Sequence, residues 1–278
     1  MELNKIYQGN SLELLKKLKD NSVDLVVTSP PYATMKKYID DNGIPVDDYV
    51  DWFIPFCKEI ERVIKPTGSF ILNINDKVES GFRHPYVFDL ISRLHKETNL
   101  KMFERLFWNK MKSLPNRSRF GDRIEFIFWF TKSKDFKFNL DEMRTEYSEK
   151  SIKRMKKPLK KRFSRSEDDS KLEYKDWAPN PKGALPTVLV NISSETKKIA
   201  DSHAAVYPVA LVDYFIKGST DEGDLVIDPF MGTGTTAVSA KKLNRNYIGF
   251  EKQEEYVRIS EKRIEECNEN GLYKNRIL

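Results

Sequence analysis

Cysteine, histidine and long apolar runs are scarce in this sequence. Its 278 residues include two cysteines, Cys57 and Cys267, and three histidines. The cysteines lie too far apart for a zinc-type pair, and no His, Cys and carboxylate set suggests a metal site, so we expect no metal and a reducing cytoplasm. No apolar run approaches the roughly 20 residues that span a bilayer, and the first residues lack the apolar core of a signal peptide. We therefore expect no membrane partner.

Positive charge, by contrast, is abundant and unevenly placed. Charged residues make up 32% of the chain, hydrophobic residues 39%, and the formal net charge is +6. This composition is typical of a soluble globular protein, and the length allows one large α/β domain with an insertion. Residues 150–165 contain nine lysines and arginines and no acidic residue. Such a run is either a solvated loop or an arm that contacts phosphates, and both interpretations stay open.

A first motif joins a buried strand to a stiff polar turn. Residues 22–27 form a β-branched apolar run typical of a parallel strand, and Ser29, Pro30, Pro31 and Tyr32 follow it. Neither proline has a backbone N–H, and each restricts the preceding residue to extended conformations. The turn therefore presents a hydroxyl, free carbonyls and an aromatic ring at the carboxyl end of the strand, where open α/β sheets bind ligands. The alternative is a plain strand and turn, with Tyr32 in the core.

A second motif combines another buried strand with a glycine-rich turn and a helix. Residues 225–228 form the strand, and the turn runs from Asp228 through Phe230, Gly232 and Gly234. The glycines permit a ligand to approach the backbone closely, although such a turn could equally serve a dinucleotide. A later strand ends in Glu251, 23 residues after Asp228, which is close to the separation at which a carboxylate reaches a ribose in nucleotide folds.

Together, the Ser-Pro-Pro-Tyr and Asp-Pro-Phe-x-Gly-x-Gly-Thr-Thr motifs resemble those of the amino-group DNA methyltransferases, which use S-adenosylmethionine. Because the Pro-Pro-Tyr motif comes first, their order is similar to that of the permuted β class. The resemblance extends over roughly residues 6–263 and is weakest in 135–191. It implies an α/β, Rossmann-like fold with a mixed, mainly parallel twisted sheet. It also implies a catalytic half (1–131), a target-recognition insertion (132–190) and a cofactor-binding half (191–278).

The resemblance assigns roles to individual residues. The target-base pocket would be formed by Ser29, Pro30, Pro31 and Tyr32. The cofactor site would include Asp228, Phe230, Gly232, Gly234, Thr235, Glu251, Asn10 and His203. Three of these have plain alternatives: we favour Asn10 as a helix cap, Phe230 could pack in the core, and His203 could be a surface histidine.

The chemistry of methyl transfer to a base supports this assignment of the pocket. The exocyclic amine of a base is a poor nucleophile because its lone pair is delocalised into the ring. Acceptors such as the Ser29 oxygen and the Pro30 carbonyl would localise that lone pair, and Tyr32 would stack on a base flipped out of duplex DNA. Phosphate contacts would come from the basic run, through Lys153, Arg154, Lys156, Lys157, Lys160, Lys161 and Arg162.

The serine that opens the tetrapeptide bears on which base is methylated. Ser-Pro-Pro-Tyr resembles the cytosine-N4 branch, whereas Asp- or Asn-Pro-Pro-Tyr is typical of adenine-N6 enzymes. We therefore expect cytosine-N4 methylation of duplex DNA, with adenine-N6 methylation or a non-catalytic DNA-binding protein as alternatives. A nicotinamide-dependent dehydrogenase leaves residues 29–32 and the basic run unexplained. A cognate restriction endonuclease and a second copy of the chain are candidate partners.

The remaining pattern predicts the elements around these motifs. An amphipathic helix over 51–64 is expected to stop at Pro66-Thr67-Gly68. Aromatic strands at 103–108 and 124–130 are expected to pair in antiparallel fashion. Residues 108–110 and 123–125 resemble a further family motif near the target base, in which Trp108 and Lys110 are the candidates for a functional role. Trp177 could hold a loop against DNA or merely pack it.

Overall fold

The computed structural model describes residues 1–33, 43–111, 120–155, 179–194 and 207–270, with side chains described as far as residue 267. The strands are β1 (Lys5–Gln8), β2 (Val23–Thr28), β3 (Ile64–Ile74), β4 (Lys77–Glu79), β5 (Phe82–His84), β6 (Lys101–Asn109), β7 (Ile124–Thr131), β8 (Leu189–Asn191), β9 (Leu225–Asp228) and β10 (Asn246–Glu251). The α-helices are α1 (Ser11–Leu15), α2 (Tyr49–Val63), α3 (Tyr86–Glu97), α4 (Glu149–Met155), α5 (Val209–Ser219), α6 (Thr235–Lys242) and α7 (Glu254–Asn270), and a short 3₁₀ helix spans Leu140–Met143.

Eight of these strands form a single sheet in the order β1-β10-β9-β2-β3-β7-β6-β8. The five strands from β1 to β3 in this order are mutually parallel. β7 is antiparallel to both β3 and β6, and β8 pairs in parallel with β6. The sheet is therefore mixed and mainly parallel, and the predicted α/β, Rossmann-like fold is confirmed.

Helices cover both faces of the sheet. Residues of α1, α2 and α3 share one apolar core with one face, and residues of α5, α6 and α7 share a second core with the other. Every residue of β2 is buried. A strand that is covered on both faces needs apolar side chains in both directions, which explains why residues 22–27 lack the alternation of a half-exposed strand.

The structure corrects the predicted connection after α2. The helix ends at Val63 and β3 begins at Ile64, so Pro66-Thr67-Gly68 lies within the strand rather than in a turn that stops the helix. The pairing of β2 with β3 shifts register here, from Val23 opposite Ile64 to Leu25 opposite Ser69. A Cβ atom at Gly68 would lie 2.8 Å from the Asp24 carbonyl oxygen, so glycine lets the two strands approach at this irregularity.

The described part of the predicted insertion packs on the second core. Thr145 forms an isolated bridge with Ala184, and Asn139 Nδ2 donates to the carbonyl oxygens of Lys217 and Thr220. β8 includes residue 190, where the predicted boundary lies, and adds that segment to the main sheet. Within the described ranges, no helix combines the length and apolarity needed to cross a bilayer.

Candidate active site

The two predicted motifs meet at one edge of the sheet. β2 and β9 are parallel neighbours, with Leu25 opposite Val226 and Val26 opposite Ile227. At their carboxyl ends, Thr28 Oγ1 donates a hydrogen bond of 2.5 Å to Asp228 Oδ1, across 200 residues of sequence. The Pro-Pro-Tyr turn and the glycine-rich turn therefore leave the sheet side by side, as two turns that form one ligand site must.

Asp228 ties the glycine-rich turn to the elements around it. Its buried carboxylate accepts hydrogen bonds from the Thr28 hydroxyl, from the Phe230 amide at 3.0 Å, from the Tyr207 hydroxyl at 2.9 Å and from Thr236 Oγ1 at 2.7 Å. Burial raises the pKa of Asp228, and the hydrogen bonds from Thr236 and Thr28 oppose that shift. All four donors belong to the protein, so Asp228 organises the site, and its predicted contact with the cofactor stays a prediction.

The glycine-rich turn uses conformations that favour glycine. Gly232 has φ of 53° and Gly234 has φ of 84°, both in the left-handed region. A Cβ atom at Gly234 would also lie 2.5 Å from Ser260 Cβ and 2.9 Å from its Cα. Gly234 is therefore required by the packing of the turn against α7 as well as by its backbone conformation.

A buried arginine supports this turn from α7, and sequence reasoning missed it. Arg263 Nη1 donates to the Thr233 carbonyl at 2.5 Å, to Thr233 Oγ1 at 3.1 Å and to Thr235 Oγ1 at 3.3 Å. The hydroxyl of Thr235, a predicted cofactor residue, is thus used inside the protein. In sequence, Arg263 is one of many charged residues in an amphipathic helix, and no local signal distinguishes it.

Glu251 lies at the carboxyl end of β10, one strand away from the turn. Its Oε2 accepts from the Gly232 amide at 2.8 Å, and its Oε1 accepts from the Gln253 amide at 2.8 Å. The Lys252 amide is a third donor to this carboxylate. A carboxylate has about four acceptor positions, so Glu251 retains one for a further donor such as a ribose hydroxyl. The side chain is partly exposed at the rim, and its remaining acceptor position fits the predicted contact with the cofactor.

Two further predicted cofactor residues have structural partners. Asn10 Oδ1 accepts from the amides of Leu12 at 2.9 Å and Glu13 at 3.3 Å, so the favoured helix-cap interpretation is confirmed. The Phe230 ring packs against the aromatic face of α2, with ring centroids 5.6 Å from Trp52 and 5.1 Å from Phe56. His203 lies outside the described residues.

The predicted base pocket contains a polar network centred on a carboxylate. Ser29 Oγ donates to the Tyr32 hydroxyl at 3.2 Å, and that hydroxyl donates to Glu125 Oε2 at 2.8 Å. Glu125 also accepts from Lys110 Nζ at 3.1 Å and from Asn73 Nδ2 at 3.2 Å. The other side-chain atom of Asn73, Oδ1, is buried, and no donor among the described residues reaches it. The network thus contains one buried acceptor without a described partner.

Trp108 and Lys110 have different partners in the structure. Trp108 is buried, and its Nε1 donates to the Ile192 carbonyl at 2.7 Å, which accounts for the residue through packing. Lys110 belongs to the base-pocket network through Glu125. Sequence reasoning named Glu125 only as part of a motif and missed Asn73, because a single polar residue in an apolar strand does not reveal its partner.

Little of the predicted DNA-contacting run lies in the described ranges. Lys153 and Arg154 are exposed in the last turn of α4. The remaining residues of that run lie outside the described residues: Lys156, Lys157, Lys160, Lys161 and Arg162. Trp177 lies outside them as well. In the described part of the chain, no group of three or more His, Cys, Asp or Glu side chains is arranged to hold a metal ion.

Comparison with known families identifies the chain. The family of N6/N4 DNA methylases matches residues 23–262, which include both motifs. The chain belongs to this family. The type II methyltransferase M.BglII of Bacillus subtilis is 31% identical over 274 residues, which are 98% of this chain and 72% of that protein. The type II methyltransferase M.PvuII of Proteus hauseri is 30% identical over 298 residues, covering 98% of this chain and 88% of that protein.

Solved structures show the same architecture. The PvuII DNA methyltransferase, described as cytosine-N4-specific, superposes with a TM-score of 0.71 at 26% identity, covering 95% of this chain and 90% of that one. A DNA modification methylase from Thermus thermophilus complexed with S-adenosylmethionine has a TM-score of 0.61 at 20% identity, covering 94% and 95% of the two chains, and shows the shared fold.

Membership in the DNA methylase family confirms the predicted cofactor, S-adenosylmethionine. The methylase's own geometry fits this cofactor at the carboxyl edge of the sheet. Gly232 and Gly234 shape the turn that follows one strand, and Glu251 at the end of the next strand retains an acceptor position for a hydroxyl group.

Proposed function

We propose that this DNA methylase transfers a methyl group from S-adenosylmethionine to the exocyclic N4 amine of cytosine in duplex DNA. The observation that carries the proposal is the position of Ser29 and Tyr32 beside the glycine-rich turn, which the Thr28–Asp228 hydrogen bond establishes. The serine at the head of the tetrapeptide and the likeness to a cytosine-N4-specific enzyme support cytosine as the base. Adenine-N6 methylation is the alternative within the family.

The residues of the pocket provide what an amine acceptor needs. S-adenosylmethionine supplies a methyl group that is already electrophilic because it is attached to a sulfonium. Ser29 Oγ and the Pro30 carbonyl accept hydrogen bonds from the amine and localise its lone pair. Tyr32 offers its ring to an everted base. A seryl hydroxyl is shorter than a carboxylate or amide side chain, and this difference in reach is our physical reason for a preference between bases.

Product analysis tests this function directly. Duplex DNA is incubated with the purified protein and S-adenosylmethionine, digested to nucleosides and separated, and each methylated product is identified by mass and retention. The expected product is the deoxynucleoside N4-methyl-2′-deoxycytidine. N6-methyladenine in its place would establish the adenine alternative. DNA binding without any methylated product would favour the non-catalytic interpretation.

Affinity for the cofactor is expected to decrease as the pH falls. The decrease is expected to begin at a pH above the ordinary pKa of a glutamate, which is about 4.3. Burial raises the pKa of Glu251, while amide hydrogen bonds from Gln253 and Gly232 oppose the shift. The ionised carboxylate can accept a hydroxyl donor beside its amide donors, and protonation removes an acceptor, so affinity decreases as the pH drops through the raised pKa. Calorimetric titration with S-adenosylhomocysteine between about pH 8 and pH 5 measures this dependence.

The matched control for that titration is Glu251→Gln, which keeps the shape of the side chain and cannot titrate. It is expected to bind S-adenosylhomocysteine more weakly and with a flatter pH dependence. Both data sets are first corrected for the titration of S-adenosylhomocysteine itself. If wild type and Glu251→Gln show the same pH dependence, Glu251 does not contact the cofactor.

Charge reversal in the basic run is expected to weaken binding to duplex DNA of every sequence. The substitutions are Lys156→Glu, Lys157→Glu, Lys160→Glu and Lys161→Glu. Each phosphate contact that is lost is expected to reduce the slope of log affinity against log salt concentration by about 0.9. Fluorescence anisotropy at several salt concentrations measures both the affinity and the slope.

A charge-matched control is available at the amino-terminal edge of the sheet, away from the two motifs. Lys17 and Lys19 follow α1, Lys96 lies at the end of α3, and Lys101 begins β6; all four are exposed. Reversing these four charges changes the net charge equally and is expected to alter the salt slope far less. An equal effect of both quadruple variants would assign the DNA affinity to net charge alone.

Partner and compartment assignments complete the proposal. A cognate restriction endonuclease stays a predicted partner, in keeping with the type II methyltransferases among the relatives. A second copy of the chain is the other predicted partner. Cys57 and Cys267 are free thiols, which agrees with the predicted reducing cytoplasm.

A further inference from the structure

Three side chains of the base pocket form a hydrogen-bonded chain that ends on a carboxylate. Ser29 Oγ is 3.2 Å from the Tyr32 hydroxyl oxygen, and this oxygen is 2.8 Å from Glu125 Oε2. This hydrogen-bonded chain connects the carboxyl end of β2 to the start of β7. In the sheet, β3 lies between these two strands. The residue that begins the chain, Ser29, is the one proposed to accept a hydrogen bond from the target amine.

The direction of the hydrogen bonds in this chain follows from its last member. An ionised carboxylate accepts hydrogen bonds and cannot donate them, whereas a hydroxyl can do either. Lys110 Nζ at 3.1 Å and Asn73 Nδ2 at 3.2 Å both donate to Glu125, so its oxygens already serve as hydrogen-bond acceptors. Burial and the neighbouring Glu125 raise the pKa of Tyr32 well above its usual value, so the phenol keeps its proton at neutral pH. The Tyr32 proton therefore points to Glu125.

This direction determines which way the Ser29 hydroxyl points. Because the Tyr32 proton is directed to Glu125, the Tyr32 oxygen offers its lone pairs to the Ser29 hydroxyl, which donates to it. The serine oxygen is then left with lone pairs only, and these can accept an N–H of the exocyclic amine. With the opposite polarity, Ser29 would accept from Tyr32 and turn its own proton towards the amine, where two donors would face each other.

We propose that Glu125 is a positioning residue that fixes the polarity of the Ser29–Tyr32 pair and thereby keeps Ser29 an acceptor for the target amine, with Lys110 as the donor that holds the Glu125 side chain in place. The inference rests on the proposed amino-methyl transfer and adds to it a residue that does not touch the reacting atoms. It applies to the amine of either base, because both present N–H donors.

If the ion pair between Glu125 and Lys110 only stabilises the fold, a different result is expected. Glu125→Gln keeps the size of the side chain, but its amide can donate to Tyr32 and so permits the reversed polarity. Tyr32→Phe keeps the stacking ring and removes the hydroxyl through which Glu125 would act. If Glu125 acts through polarity, the effect of Glu125→Gln depends on the Tyr32 hydroxyl; if it acts only on the fold, it does not.

The test is a double-mutant cycle on single-turnover methyl transfer to duplex DNA. Glu125→Gln is expected to slow transfer about tenfold, the rate equivalent of one hydrogen bond, with little change in affinity for S-adenosylhomocysteine or DNA. In the Tyr32→Phe background, the same substitution is expected to change the rate less than about twofold. Lys110→Met, which retains the carboxylate, is expected to slow transfer less and to lose its effect in the same background.

The control is Glu97→Gln at the far end of α3, where a carboxylate also pairs with two cations, Lys58 at 2.8 Å and Arg93 at 2.6 Å. It is expected to leave the rate unchanged. The inference is overturned if Glu125→Gln slows transfer as much with Phe at position 32 as with Tyr, or if the loss of rate follows a loss of thermal stability across the variants. A wild-type protein that methylates no amine in DNA would instead refute the proposed function itself.

Discussion

Tyr32→Ala is expected to reduce methyl transfer by about a hundredfold or more while leaving the affinity for S-adenosylhomocysteine largely intact. Stacking of a base on an aromatic ring contributes about 1–3 kcal/mol, and the base must be held outside the duplex against an unfavourable free energy of a few kcal/mol. Removing the ring also removes the partner of Ser29. The groups that fit the cofactor, Glu251 and the glycine-rich turn, are untouched. Single-turnover transfer from labelled cofactor and calorimetry with S-adenosylhomocysteine measure the two quantities.

Ser29→Ala tests the same pocket without altering its shape. It removes an acceptor that acts on the amine as the transition state forms, and loss of one such preorganised group reduces rates by about a hundredfold to a thousandfold. Tyr214→Ala is a matched control for Tyr32→Ala, because it truncates another partly buried tyrosine that packs on the second core. If Tyr32→Ala or Ser29→Ala loses cofactor affinity to the same extent as transfer, the pocket assignment is wrong.

Asp228→Ala is expected to lower the free energy of unfolding by roughly 4 kcal/mol, since each buried donor left without a partner costs about 1–3 kcal/mol. Four donors from four parts of the chain converge on this carboxylate: the Thr28, Tyr207 and Thr236 hydroxyls and the Phe230 amide. Urea denaturation followed by circular dichroism measures the change. Asp20→Ala removes an exposed carboxylate paired with Arg62 and is expected to change stability by less than about 1 kcal/mol.

The pH dependence of stability gives a second measurement on Asp228. Burial raises the pKa of its carboxyl in the folded protein above the value in the unfolded chain. The folded state therefore binds the proton more tightly, so this contribution to stability is complete below the unfolded pKa and is lost as the pH rises through the folded pKa. Asp228→Asn cannot titrate and is expected to remove this part of the pH dependence. Identical pH profiles for wild type and Asp228→Asn would contradict the assignment.

Much of the fold and both turns could be predicted because the signals are local. The apolar run before Ser29 is typical of a buried strand, and two prolines or two glycines after a strand restrict the turn in ways that depend on neighbouring residues alone. The same local reasoning was wrong at Pro66-Thr67-Gly68, which lies inside β3 at a register shift, between the paired residues Ile64 and Ser69. β2 pairs with the residues on either side of this segment, and such long-range pairing is not visible in local signals.

The side chains that complete the site could not be predicted in this way. Glu125 reaches Tyr32 across 93 residues, Asn73 reaches Glu125 across 52, and Arg263 reaches Thr233 across 30. Whether two such residues meet depends on the order and register of strands and on how a helix packs, and neither is contained in the spacing of residues. The roles of Asp228 and Thr235 also changed once their hydrogen-bond partners were visible.

By itself, the sequence determined the class of fold, the two strand-to-turn motifs and the chemistry of their side chains, because periodicity, proline and glycine act over a few residues. The tertiary structure alone decided that the two turns lie side by side and that a carboxylate on β7 holds Tyr32. The reason is physical: the hydrogen bonds that join these groups form only after the sheet has brought distant segments within about 3 Å of each other.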